Sequence, residues 1–188
     1  MSYILYFCPD CASQAVRMVL EWSGAKYRND MVDMDVGAHR NAEFLRLNPH
    51  GMVPVLLDGT TGAMLSETSA ILSLLAEQSG RLAPATSNPK ARALFLQRSR
   101  FLLNTLLHAD AQVQYCTERY VGDDLAKAAS PKIHDWMRSH FSMLDAAIAE
   151  HGGPWLPGSE LSVCDFYLGG CSRRSLIAPR HALSNRMP

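Results

Sequence analysis

The chain has 188 residues, 47% of them hydrophobic and 19% charged, which suits one large folded domain or two small ones and excludes intrinsic disorder. Eighteen basic residues balance eighteen acidic ones, and no Lys/Arg block or apolar window approaches what an anionic surface or a membrane span requires, so neither nucleic acid nor membrane is expected as a partner. The first residues carry no signal pattern, and five cysteines at irregular positions (8, 11, 116, 164 and 171) suit reduced thiols, so a cytoplasmic location is expected.

Tyr3 to Phe7 is a short apolar run stopped by Pro9, and it predicts a first strand. "SQAVRMVLEWSG" then places apolar residues at helical spacing up to Gly24, a helix stop. "KYRNDMVDMD" predicts a second strand, and "HRNAEFLRLN" a short helix ended by Asn48-Pro49. "VPVLLDGTTGAMLSE" holds two apolar runs around an Asp58-Gly59 turn signal, an antiparallel hairpin. "ETSAILSLLAEQSG" follows with Ala70, Ile71, Leu74 and Leu75 on one helical face and stops at Gly80.

The first eighty residues therefore read β-α-β-α-β-β-α. Residues 81–89, rich in Pro, Ser and Ala, form a linker by composition. From Lys90 the strand signals end and three helical patterns follow: one running to Tyr120, one from Leu125 to Gly152, one from Leu161. An α/β domain over 1–80 and an all-α domain over 90–188 are expected.

Two short stretches carry chemistry. In "NPHGMVPVL" a proline opens the most apolar strand; an X-Pro bond is the one peptide bond for which cis is cheap, about 0.5–1 kcal/mol. A cis bond at Pro54 would turn the backbone of Val53 outward to pair with an extended ligand. In "FCPDCAS", Cys8 and Cys11 stand three apart just before the first helix. A thiol at a helix start has its pKa lowered by free N–H groups, while Asp10 between the two should oppose thiolate formation. Neither a second CxxC nor an HxxxH accompanies the pair, so no metal is expected.

The order of elements, together with "LNPHGMVPVL", "LSETSAIL" and "GSELSVCDFYLGG", resembles the cytosolic glutathione S-transferase family over almost the whole chain. The match is to the beta-class bacterial type, with omega-like and glutaredoxin-like character in "CPDC". That resemblance implies an α/β thioredoxin-like N-terminal domain that binds glutathione, an all-α C-terminal domain, and a homodimer. It implies glutathione as co-substrate and a small hydrophobic electrophile, a mixed disulfide or a peroxide as the second substrate, in detoxification. A non-catalytic interaction protein on the same fold, and a thiol-disulfide oxidoreductase using Cys8 and Cys11, are the alternatives.

Residue by residue, the resemblance implies that Val53, beside Pro54, pairs with the cysteinyl part of glutathione, and that Glu67 and Thr68 hold its γ-glutamyl group. Met52 departs from the Lys or Gln common there, a contact that His39 or His50 could replace, though a surface histidine without a role is expected for either. At the sulfur, Cys11 falls where omega-class members carry their cysteine and within one residue of the beta-class position, which an ungapped comparison puts at Ala12. Cys8, Ser13 and Tyr6 stay as alternatives. His108 matches the histidine that beta-class enzymes turn toward that cysteine. Ser162 and Asp165 match the family's helix-capping pair, and the helical domain is expected to be shortened after it. Trp136 and Trp155 are expected in core or interface.

Overall fold

The computed structural model describes residues 2–106 and 122–176. Its elements run β1 (Ser2–Phe7), α1 (Ser13–Ser23), β2 (Lys26–Met31), a 3-10 turn (Ala38–Arg40), α2 (Ala42–Leu47), β3 (Val55–Asp58), β4 (Met64–Ser66) and α3 (Thr68–Ser79). The helices α4 (Pro89–Phe101), α5 (Asp123–His151) and α6 (Val163–Leu176) follow, with a π-helical turn at Leu102–Leu106. The β-α-β-α-β-β-α order read from the sequence is present, followed by helices alone among the described residues.

The four strands lie in the order β2-β1-β3-β4. β1 runs parallel to β2, with Phe7 opposite Met31, and antiparallel to β3, with Tyr6 opposite Val55. β4 returns antiparallel to β3, with Ser66 opposite Val55. Alternation along the strands divides the side chains between two faces. Tyr3, Leu5 and Leu56 face α1 and α3, whose Ala15, Val16, Val19, Leu20, Ile71, Leu72 and Leu75 complete a buried cluster. Val55 faces the other way, with Val32 and Phe44 of the α2 side.

The larger cluster continues without a break into the helical half through Leu82, Phe95, Leu102, Leu106, Met137, Leu144 and Tyr167. Each fully buried leucine contributes about 1.5–3 kcal/mol, so this shared core ties the two halves together. α6 packs directly on α1: a Cβ added at Gly170 would lie in ordinary contact, 3.6 Å from the Ala15 Cβ. At the rim, the Arg81 guanidinium sits 5.0 Å over the Trp22 ring, and Trp22 meets Phe166 edge-on.

Several local expectations are corrected. β2 ends at Met31, short of Asp35, because the Asp33 carboxylate accepts from the N–H groups of Asp35 and Val36 and turns the chain. The helix expected from His39 is split at Asn41, whose side chain caps α2 by accepting from Phe44 N at 2.7 Å. α5 runs through Pro131, in line with the helical pattern expected from Leu125 to Gly152. Of the two places expected for Trp136 and Trp155, core or interface, the core is excluded: each is 37% exposed. Ser162 and Asp165 do cap α6: the Asp165 carboxylate accepts from Ser162 N and Oγ and from Leu156 N, and Ser162 Oγ accepts from Cys164 N.

Candidate functional site

The strand register assembles one end of the sheet. Because Val55 lies opposite both Tyr6 and Ser66, the residues just before it, Val53 and Pro54, are level with the start of the Cys8 loop on one side and with Glu67 and Thr68 on the other. Residues some sixty positions apart in sequence thus border one edge, beside the N-termini of α1 and α3.

After β1 the chain turns sharply through Pro9 and Asp10, and Asp10 takes φ 52°, a conformation that Asp tolerates better than most residues. The turn folds Cys11 back over Cys8, and its Sγ lies 3.0 Å from the Cys8 carbonyl oxygen. α1 then starts without a side-chain cap from Ala12, the residue at its N-cap position. The orphan N–H of Ser13 instead points at Cys11 Sγ, at 3.4 Å. The Ser13 hydroxyl, fully buried, lies 2.9 Å from Cys11 Sγ and 2.9 Å from the Cys8 carbonyl oxygen, and accepts from Cys8 N at 3.3 Å.

These contacts pull the Cys11 thiol down to about 6. A hydrogen bond from the Cys8 side chain has the largest influence, burial opposes it, and the Ser13 hydroxyl and N–H add to the lowering. Asp10, expected to oppose the thiolate, is exposed at the tip of the turn and is not among the influences on Cys11. In the thiol form the Cys11 S–H can donate to the Cys8 carbonyl. Once the proton is lost, the single Ser13 hydroxyl proton has a better acceptor in the sulfur.

Cys8 is 5% exposed, closed off from bulky reagents, whereas Cys11 is partly exposed. Tyr6 packs edge-on against Phe44, on the α2 face of the sheet opposite α1. His108 lies outside the described residues. Cys164 is buried in the main core, where desolvation first and the Asp165 charge push its thiol up to about 12. That thiol is inert as a nucleophile near neutral pH.

On the facing loop the Val53–Pro54 peptide bond is cis. Among the described residues no protein group pairs with the Val53 backbone. Its conformation is held by Asn48, expected only as a helix stop and found also to brace this loop. Asn48 is buried, donates from Nδ2 to the Met52 carbonyl at 2.8 Å and accepts from His50 N at 3.2 Å. An Asn directly before a proline and three residues before a glycine is the signal that the sequence carries for it. Gly51 takes φ 63°, and a Cβ there would meet the His39 carbonyl at 3.0 Å, so the loop needs glycine. Met52 itself is 54% exposed, its carbonyl engaged and its thioether turned out. His39, expected at the surface, is buried, while His50 is exposed.

Glu67 precedes α3 with φ 72° and ψ 114°, outside the ordinary regions for a residue with a side chain. Holding it there costs about 1–3 kcal/mol, the kind of outlier that accumulates at ligand sites. Its side chain is exposed, and Thr68 beside it is buried in the first turn of α3. A carboxylate, a hydroxyl and unpaired helix N–H groups together suit a ligand bearing both an ammonium and a carboxylate.

The family model for the N-terminal domain of glutathione S-transferase matches residues 7–78. The chain is 29% identical over 155 residues to glutathione S-transferase 1 of Dianthus caryophyllus, covering 81% of this chain and 67% of that protein. It superposes with a TM-score of 0.75 on the beta-class glutathione S-transferase of Sphingomonas chungbukensis, at 27% identity over 97% of this chain and 88% of that one. A sphingomonad glutathione S-transferase solved with glutathione is 31% identical, with a TM-score of 0.73, over 90% of this chain and 81% of that one. With these matches running through both the sheet and the helices that follow it, the chain belongs to the glutathione S-transferase family.

Proposed function

We propose that the protein is a glutathione transferase in which Cys11 is the group at the glutathione sulfur. The observation that carries this reading is the Cys11 thiol, drawn down to about 6 at the start of α1, on the sheet edge that also holds Val53, Glu67 and Thr68. In this reading the Val53 backbone, beside Pro54, pairs with the cysteinyl residue of glutathione. Glu67 takes the γ-glutamyl ammonium, and Thr68 with the first N–H groups of α3 takes the α-carboxylate. Met52 adds no donor, so the backbone carries the affinity on that side.

The chemistry favoured is thiol exchange. The hydrogen bonds that could steady a glutathione thiolate, from the Ser13 hydroxyl and N–H, are spent on the protein's own sulfur. The Cys11 thiolate attacks the glutathione sulfur of a mixed disulfide; a Cys11–glutathione disulfide forms, and the other thiol leaves with a proton from water. A second glutathione thiolate then attacks that bond, releasing glutathione disulfide and restoring Cys11. Conjugation of small hydrophobic electrophiles and reduction of peroxides extend the same reading, with His108 as the residue that would hold a proton near the sulfur. No metal takes part in it. The residue division into a glutathione-binding half over 1–80, a linker over 81–89 and a helical half from 90, a homodimer, a cytoplasmic location and a detoxifying role belong to this proposal as well.

Retention on glutathione-agarose and turnover of a glutathionylated disulfide, compared between wild type and Cys11→Ser, test it. The reading predicts binding by both proteins and turnover by wild type alone. Absence of wild-type binding at millimolar glutathione would sink it.

A further inference from the structure

The two cysteines of the turn are unequal, and their inequality is what a two-step exchange requires. Cys11 is partly exposed and can be reached by a disulfide bound along the sheet edge. Cys8 is 5% exposed and can be reached only by something already attached to its neighbour. The positive-φ turn at Asp10 brings the Cys11 sulfur to 3.0 Å from the Cys8 carbonyl oxygen, and the Cys8 side chain is the largest influence that draws the Cys11 thiol down.

Cys8 is also not explained as core filling. Cys164 shows what a packing cysteine looks like here: it belongs to the main buried cluster and donates to the Phe95 carbonyl. Cys8 is as shielded from solvent, yet it belongs to neither apolar cluster. Its backbone is held in the polar knot of Ser13 and Cys11, where Ser13 Oγ takes its N–H and donates toward its carbonyl.

We propose that Cys8 is the resolving cysteine for Cys11, releasing glutathione from the Cys11–glutathione disulfide by forming an internal Cys8–Cys11 disulfide. The inference rests on the reading of Cys11 as the residue that takes up glutathione. In the step, the Cys8 sulfur attacks Cys11 Sγ, the Cys11–glutathione S–S bond breaks, and the Cys8 proton passes to the departing glutathione sulfur. One S–S bond is exchanged for another and glutathione leaves as the thiol. Two further glutathione molecules then return the enzyme to its dithiol form: the first reopens the internal disulfide on Cys11, and the second leaves with it as glutathione disulfide. Pre-positioning the second thiol beside the first makes the resolving attack intramolecular, with the large effective concentration that brings.

The test treats the full chain with glutathione disulfide, traps free thiols with N-ethylmaleimide after acid quenching, and follows intact mass and peptide maps over time in wild type and Cys8→Ser. The expected result is a transient glutathione adduct in wild type that gives way to a peptide with Cys8 and Cys11 joined, two hydrogens lighter. In Cys8→Ser the adduct persists on Cys11, its lifetime at least about tenfold longer because intramolecular attack is removed. If the wild-type adduct persists as long as that of the variant, with Cys8 still alkylated on denaturation, the resolving role is overturned while Cys11 keeps its own. If neither protein acquires glutathione on Cys11, the underlying reading fails and takes this one with it. Should Cys8→Ser not fold, Cys8→Ala replaces it, and the wild-type peptide map alone decides whether the internal bond forms.

Discussion

The hydroxyl of Ser13 lies 2.9 Å from Cys11 Sγ and the same distance from the carbonyl oxygen of Cys8. It has one proton and two acceptors, so the ionisation of Cys11 decides which acceptor receives it. Ser13 is fully buried, and no solvent competes for that proton. In the proposed reading Ser13 therefore positions the Cys11 thiolate rather than acting on glutathione itself.

Replacing Ser13 by Ala removes this donor. A hydrogen bond to a charged group is worth about 1.5–3 kcal/mol, so the midpoint of Cys11 alkylation should rise by about one to two pH units. Iodoacetamide rates against pH measure it directly. An unchanged midpoint in a folded Ser13→Ala protein would assign the low wild-type value to Cys8 and the helix start alone.

In wild type that midpoint is expected at about pH 6, with Cys164 unreactive until the chain unfolds. Stability follows with a definite sign. The folded thiol titrates at about 6 against 9.0 for an ordinary cysteine, so between those values the native chain binds one proton fewer than the unfolded chain. The contribution of Cys11 is therefore complete above pH 9 and is lost as the pH falls through 6. Denaturant titrations of wild type and Cys11→Ser across that range should converge at the acid end and diverge toward the alkaline end; parallel curves would contradict the lowered thiol.

Glu67 separates binding from stability. Glu67→Gly relieves a backbone cost of about 1–3 kcal/mol and incurs about 0.5–1 kcal/mol in glycine entropy, so the melting temperature should rise modestly. Loss of the carboxylate should weaken glutathione binding about tenfold or more, by the loss of a charge-assisted bond. Glu67→Gln keeps the strained backbone and should lose affinity without the gain in melting temperature. Calorimetry on the three proteins reads both quantities; equal glutathione affinities would remove Glu67 from the site.

The cap of α6 gives the opposite pattern. Asp165→Ala leaves the N–H groups of Leu156 and Ser162 without their acceptor and should cost about 2–4 kcal/mol of stability. The pH midpoint of Cys11 alkylation should stay where it is. A shifted midpoint would mean that the cap and the thiol are coupled through the core shared by α1 and α6.

Much of this protein was legible in its sequence because the signals are local. Apolar periodicity, the Asp58-Gly59 turn, the Gly24 and Gly80 helix stops and the Ser162/Asp165 cap each act within a few residues. The order of strands and helices follows from them. Where a local side chain competes with the pattern, at Asn41 and Asp33, the elements break earlier than periodicity predicts.

Tertiary structure decided the rest. Cys8 and Cys11 are the same residue type three positions apart, and only the positive-φ turn at Asp10 buries one, leaves the other reachable and sets Ser13 between them. Val53 and Glu67 reach the same edge only because antiparallel pairing places Val55 opposite both Tyr6 and Ser66. A thiol's ionisation depends on burial and on which donors surround it. Those are properties of neighbours in space, fixed by register and backbone turn, which no spacing along the chain encodes.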